Sequence, residues 1–184
     1  MKQILIITIF TFYSLSIFAQ TFTQLPRYAI IDAALWQEDK EVLKEEGFTY
    51  RSLYRGSMQI ELHSVAPYLV DISVSGREFI DEMVKQRPIE RRVLWLHSEL
   101  SIEDLRNHLR RFIYMKTDTN NRVFFRFYDP FVVNSTFPTL TQEWLTDFFE
   151  PIEYLITEDV RTNERRIVSL SVDKELQVKI EAIK

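Results

Sequence analysis

The chain has 184 residues, 46% hydrophobic and 27% charged, an ordinary globular mixture that fits one domain with a small appendage and needs no disulfide or metal to fold. It has no cysteine and only three glycines, at 47, 56 and 76, which excludes thiolate metal sites, thiol catalysis, a dinucleotide fingerprint and a phosphate-cradling loop. A net charge of -4, with no basic run longer than two residues, disfavours nucleic acid as a partner.

Residues 1–20 open with Lys2 and an apolar stretch from Ile4 to Phe18. That pattern reads as a secretory signal peptide or as a first helix, and at about 15 residues it is short of the roughly 20 a stable membrane span needs. After a linker over 21–27, the run Tyr28–Asp32 predicts a buried strand. Ala33–Glu46 predicts a helix stopped by Gly47. Strands are expected at Tyr50–Tyr54 and Tyr68–Val74, then a helix over Arg77–Arg87 before Pro88. Arg91–Leu96 reads as another strand. Ser101 and Asp104 form a variant capping box for a helix running to Met115, with Leu105, His108, Leu109 and Phe112 on its apolar face.

Thr117–Asn121 is a turn by composition, and Arg122–Tyr128 is apolar on both faces, which predicts a central strand. Trp144–Phe149 is a short helix. Ile152–Ile156 and Arg166–Ser171 are strands around a turn at Arg161–Glu164. Asp173–Ile183 reads as an amphipathic helix whose Leu176, Ile180 and Ile183 form an apolar stripe, packed at home or offered to a partner. The sum is an α/β fold, a mixed β-sheet with helices packed on it in a single domain.

Few residues invite chemistry. Asp32 ends a strand, where it caps a helix starting at Ala33 or serves a site. Asp71 inside an apolar strand needs a partner, with Arg55 and Arg126 the candidates. His108 on an apolar helix face is expected to be hydrogen-bonded in the core, and a small hydrolase built on Asp32 or His108 is the enzymatic alternative. Arg126 between Phe125 and Phe127 is costly unless paired, so an ion pair or a cation–π contact is expected there. The three histidines, His63, His97 and His108, have no metal-ligand spacing on a helix face, so no metal is expected.

Six segments in order carry a resemblance: YAIIDAA at 28–34, LYRGS at 53–57, APYLVDI at 66–72, SIEDLRNHLRRFIY at 101–114, RVFFRFYDPFVV at 122–133 and FFEPIEYLI at 148–156. Together they resemble the type VI secretion effector chaperone (adaptor) domain, long catalogued as a domain of unknown function. The chain departs from that pattern at Ala66-Pro67, where the family often has Gly-Pro, and at Glu150, where it often has Gly. The resemblance implies residues 28–156 as the chaperone-like domain, 1–27 as an apolar helix or signal-like segment with linker, and 157–184 as a C-terminal extension.

It also implies a non-enzymatic adaptor without cofactor. Such an adaptor binds a secreted effector protein and helps load it on the secretion spike protein. Asp32, His108, Arg126, Tyr128, Asp129 and Pro130 match the family motifs and are carried over as fold-defining or partner-binding positions. The implied compartment is the cytoplasm, with residues 4–19 as a helix ahead of the first strand. The alternative is an exported periplasmic binding or structural module whose residues 1–19 are a cleaved signal peptide.

Overall fold

Every residue of Tyr28–Asp32 is buried, and this run forms β1 in the computed structural model, which describes residues 25–35, 39–73, 78, 80, 93–116, 120–159 and 161–183. The apolar N-terminal segment lies outside the described residues. So does the expected helix over 77–87, apart from positions 78 and 80.

β1 is central because it is apolar on both faces. It pairs with β3 (Pro67–Asp71) on one side and β4 (Val93–His97) on the other. Beyond β3 lies β2 (Tyr50–Ser52); beyond β4 follow β7 (Tyr154–Asp159), β8 (Glu164–Leu170) and β9 (Leu176–Ala182). The seven-stranded order is β2-β3-β1-β4-β7-β8-β9, and each of its ladders is antiparallel. Sheet and helices share one α/β domain, as the sequence predicts.

Alternating strand residues feed two cores. Tyr28, Ile30, Leu69, Leu94, Leu96, Leu155 and Val168 face the larger one. Ala29, Ile31, Val70, Trp95, Ile156 and Ile167 face the smaller one, where Leu43 of α1 (Asp39–Glu45) and Ile80 pack. α1 ends in a Schellman motif: Gly47 takes φ 75°, its N–H bonds Lys44, and the Phe48 N–H bonds Leu43. The expected helix from Ala33 thus starts later, because Asp32 first turns the chain.

The larger core is covered by α3 (Ile102–Leu109), α4 (Pro130–Thr136) and α5 (Gln142–Phe149). A short helix, α2 (Ser57–Glu61), follows β2. α3 and α5 begin on Ser101 and Thr141, whose hydroxyls accept the N–H groups of Asp104 and Trp144. Aromatic rings fill this core: Phe148 stacks on Trp144 at 5.1 Å and meets Phe112 edge-on at 5.0 Å, and Phe137 meets Phe148 at 5.2 Å.

Three sequence expectations need correction. The helix from Ser101 does not reach Met115. It tightens into a 3-10 turn at Arg110–Phe112, and Tyr114–Lys116 is β5. Nor is Arg122–Tyr128 a central strand. Only Arg122–Phe124 is extended, as β6, and all three residues are exposed in a hairpin with β5. The segment is apolar on both faces for a different reason: after the hairpin, Phe125 and Phe127 plunge into the helical core while Arg126 points away.

Asp173–Ile183, finally, is a strand rather than a helix. Leu176, Val178, Ile180 and Ala182 alternate with Gln177, Lys179 and Glu181, a strict period of two. Ile183 lies past β9, so the stripe of Leu176, Ile180 and Ile183 does not exist as one face. Leu176 packs on the larger core, whereas Val178 and Ile180 are 46% and 54% exposed.

Neither Ala66 nor Glu150 stands where the backbone needs a glycine. Ala66 has φ -76° and ψ 147°, and Glu150 is right-handed helical, both open to any residue. Among the described residues, no helix is long and apolar enough to cross a membrane.

Candidate functional site

Asp32 leaves the end of β1 with 1% of its side chain exposed. Its Oδ1 accepts the Ala34 N–H at 3.1 Å, capping a turn. Its Oδ2 pairs with the Arg126 guanidinium, which is 41% exposed. The Arg126 guanidinium also lies 5.6 Å from the centre of the Tyr128 ring, so both expected partnerships of this arginine are present. The Tyr54 hydroxyl lies within electrostatic reach of Tyr128, Asp32 and Arg126. Asp32, Arg126 and Tyr128 thus meet in one polar network between β1 and the segment after β6.

Burial pushes the Asp32 carboxyl above its ordinary range, and Arg126 opposes that shift. Burial alone would lower Arg126, but the Asp32 carboxylate, Tyr128 and Asp129 together outweigh this and hold it above its ordinary value. Burial raises both Tyr54 and Tyr128. The Arg126 Nε is buried without a hydrogen-bond partner.

Asp129 and Pro130 do a separate job. The Asp129 N–H closes a turn onto the Arg126 carbonyl at 2.9 Å, and its carboxylate accepts the Phe131 N–H at 2.9 Å as the cap of α4. Pro130 occupies the first helical turn, where its missing N–H is no loss.

His108 lies elsewhere. Its Nε2 donates to the Phe148 carbonyl at 2.9 Å and its ring packs 5.1 Å from Phe112, which joins α3 to α5. Burial lowers its pKa. Among the described residues it shares no hydrogen-bond partner with Asp32. Asp71 finds Arg27 at 3.8 Å and the Ser73 hydroxyl at 2.6 Å, rather than Arg55 or Arg126.

Arg106 of α3 and Arg110, which opens the 3-10 turn after it, take a part that the sequence does not show. Arg106 Nε donates to the Ser52 carbonyl at 2.9 Å. Arg110 donates to the carbonyls of Ser52, Leu53 and Tyr54. Burial, with Arg106 and Arg55 nearby, lowers Arg110 to about 10. The LYRGS segment is therefore clamped by the two arginines of RNHLR, a link visible in sequence only as two motifs that occur together.

Next to this clamp lies an aromatic cluster that reaches the surface at Phe124, with Tyr114 and Met58 half-buried and Tyr54 buried beneath it. Phe124, 39% exposed, meets Tyr54 at 5.9 Å and Tyr114 at 5.5 Å. The Tyr114 hydroxyl reaches the Met58 sulfur at 2.9 Å, and the Arg122 guanidinium lies 3.8 Å over the Tyr114 ring. Val123, Ile60 and Leu62 are exposed on the same three elements, β6, α2 and the turn after it. Tyr54 joins this patch to the Asp32–Arg126–Tyr128 network. A surface depression of about 1040 Å³ along α5, lined by residues including Gln142, Trp144, Asp147, Glu150 and Lys174, is bordered by none of Asp32, His108, Arg126, Tyr128, Asp129 and Pro130.

No curated protein and no solved structure matches the chain. Residues 27–147, about two thirds of the sequence, match the family model described as "Domain of unknown function (DUF4123)". That span takes in β1, the clamp, the hairpin, the polar network and most of α5, and the chain belongs to the DUF4123 family.

Proposed function

We propose that this protein is a non-enzymatic adaptor that binds a secreted effector protein in the bacterial cytoplasm and helps load it on a type VI secretion spike. The family resemblance supplies the effector and the spike. The observation that carries a binding role is the patch of Phe124, Tyr114, Tyr54, Met58 and Arg122, which adjoins the motif network. Aromatic residues, Met and Arg are the types enriched where proteins bind proteins, and a few such anchors dominate binding energy. The clamp by Arg106 and Arg110 holds the Tyr54 side of the patch in place, so little ordering is left to be done on binding.

The test is affinity capture of the C-terminally tagged full chain from its native cells, beside a Phe124→Ser/Tyr114→Ser variant, with mass spectrometry of the retained proteins. A toxin-like protein or spike component that the native chain retains and the variant loses is the expected result, together with an intact peptide from near Met1. A bait beginning near Gln20, with no such partner, would contradict the adaptor reading and favour the exported module.

A further inference from the structure

His97 ends β4 with a side chain only 7% exposed. Its Nδ1 lies 3.0 Å from the Leu25 carbonyl oxygen. Its Nε2 lies 3.2 Å from Glu99 Oε1 and 3.9 Å from Glu153 Oε1. A carbonyl only accepts, so Nδ1 carries a proton. Nε2 faces two carboxylates, so three potential ligand atoms converge on one point from the ends of two paired strands. An Nδ1–H bonded to a backbone carbonyl is also the usual support that fixes the tautomer of a metal-binding histidine.

We propose that His97 Nε2, Glu99 and Glu153 form a binding site for a divalent first-row metal ion, with Zn²⁺ the best fit. Zinc sits about 2.0–2.1 Å from nitrogen and oxygen ligands, so tetrahedral ligand pairs stand about 3.4 Å apart. The 3.2 and 3.9 Å separations bracket that spacing, and all three ligand atoms lie within 4.8 Å of one another. The glutamates are exposed and adjust by side-chain rotation, whereas the histidine is fixed. Its ring stacks on Tyr154 at 5.6 Å, and the Glu153 N–H bonds the His97 carbonyl at 3.0 Å. A site with a nitrogen ligand and three protein ligands suits zinc better than magnesium, which demands octahedral oxygen coordination. A fourth position is left for water or a group from a partner. The ligands join the end of β4 to the start of β7, and Leu25 ties the approach to β1 into the same site. This site is separate from the aromatic patch and does not depend on the adaptor reading.

The experiment is calorimetric titration of the metal-stripped full chain with Zn²⁺ at neutral pH, repeated on Glu99→Gln, Glu153→Gln and His97→Asn, with His63→Gln as control. Thermal unfolding of each protein without metal checks the fold. The expected result is one saturable site per chain, a Tm raised by zinc, and an affinity at least about tenfold weaker in each ligand variant, with His63→Gln unchanged. The two glutamine variants should unfold like the native chain in the absence of metal. Absence of saturable binding at millimolar zinc would overturn the proposal and leave an ordinary His–Glu contact. So would binding that the two glutamine variants retain in full.

Discussion

Replacing Arg126 by Met tests the polar network at its asymmetric point. The substitution keeps the apolar stem and removes the guanidinium from Asp32, whose side chain is 1% exposed against 41% for the arginine. Leaving one member of a buried ion pair uncompensated costs about 3–5 kcal/mol. The Ala34 N–H still serves one carboxylate oxygen, and water reaches the vacated arginine side, so the lower end, about 3 kcal/mol, is expected. At about 2–4 °C per kcal/mol for a chain of this size, Tm should fall by about 6–12 °C.

The assay is urea unfolding followed by tryptophan fluorescence, with linear extrapolation. The pH dependence gives a second check. Burial raises Asp32 above its ordinary 3.8 and Arg126 opposes this, so the variant's carboxyl rises further. A folded-state pKa above the unfolded one means relative stability is fully present below 3.8 and is lost as pH rises through the folded value. The deficit of Arg126→Met should therefore shrink as pH falls below neutral, and adding Asp32→Asn should recover part of it at pH 7. A loss below about 1 kcal/mol, the range of exposed pairs, or a deficit that does not change with pH, would refute the reasoning.

Three further outcomes are expected. Burial holds His108 below its ordinary 6.5, so the unfolded chain takes up its proton first as pH falls; stability present above that value should decline from there through the folded pKa, and His108→Gln should flatten this part of the pH–stability curve. Phe148→Ala removes the ring at the centre of the aromatic core and should cost about 3–5 kcal/mol, read from the same urea curves. Ser101→Ala removes the cap of α3 and should cost about 1 kcal/mol without changing the urea m-value.

Much of the sheet is legible in the sequence because its strands are apolar runs closed by turn residues: Tyr28–Asp32 at Asp32, and Tyr154–Asp159 against Glu164–Leu170 across a turn. The Ser101 cap is legible for a similar local reason, since a hydroxyl three residues before an acid satisfies a free helix N–H wherever the helix packs. RVFFRFY misleads because burial on both faces is shared by a central strand and by two rings entering a helical core; only the fold tells Phe125 and Phe127 apart from a ladder. LQVKIEA misleads in the opposite sense. Its period of two is plain, but helix-forming residues around it (Lys174, Glu175, Lys179, Glu181) suggest a helix, and pairing with β8 overrides that propensity.

The candidate site divides in the same way. The need of Arg126 for a partner follows from the cost of its position, and Asp32 and Tyr128 answer it. The identity of that partner does not follow, because 94 positions separate the two charges and only the fold closes the gap. His97, Glu99 and Glu153 escape a search for histidine pairs on helices, since the third ligand comes from across the β4–β7 ladder.

Hydrogen exchange of the purified chain with and without its captured effector tests the central claim most directly. The adaptor account predicts slowed exchange at 114–116 and 122–124 of the hairpin and at 57–61 of α2, with the sheet centre unchanged. Protection confined to β9, or no change at the hairpin when the effector is bound, would contradict it.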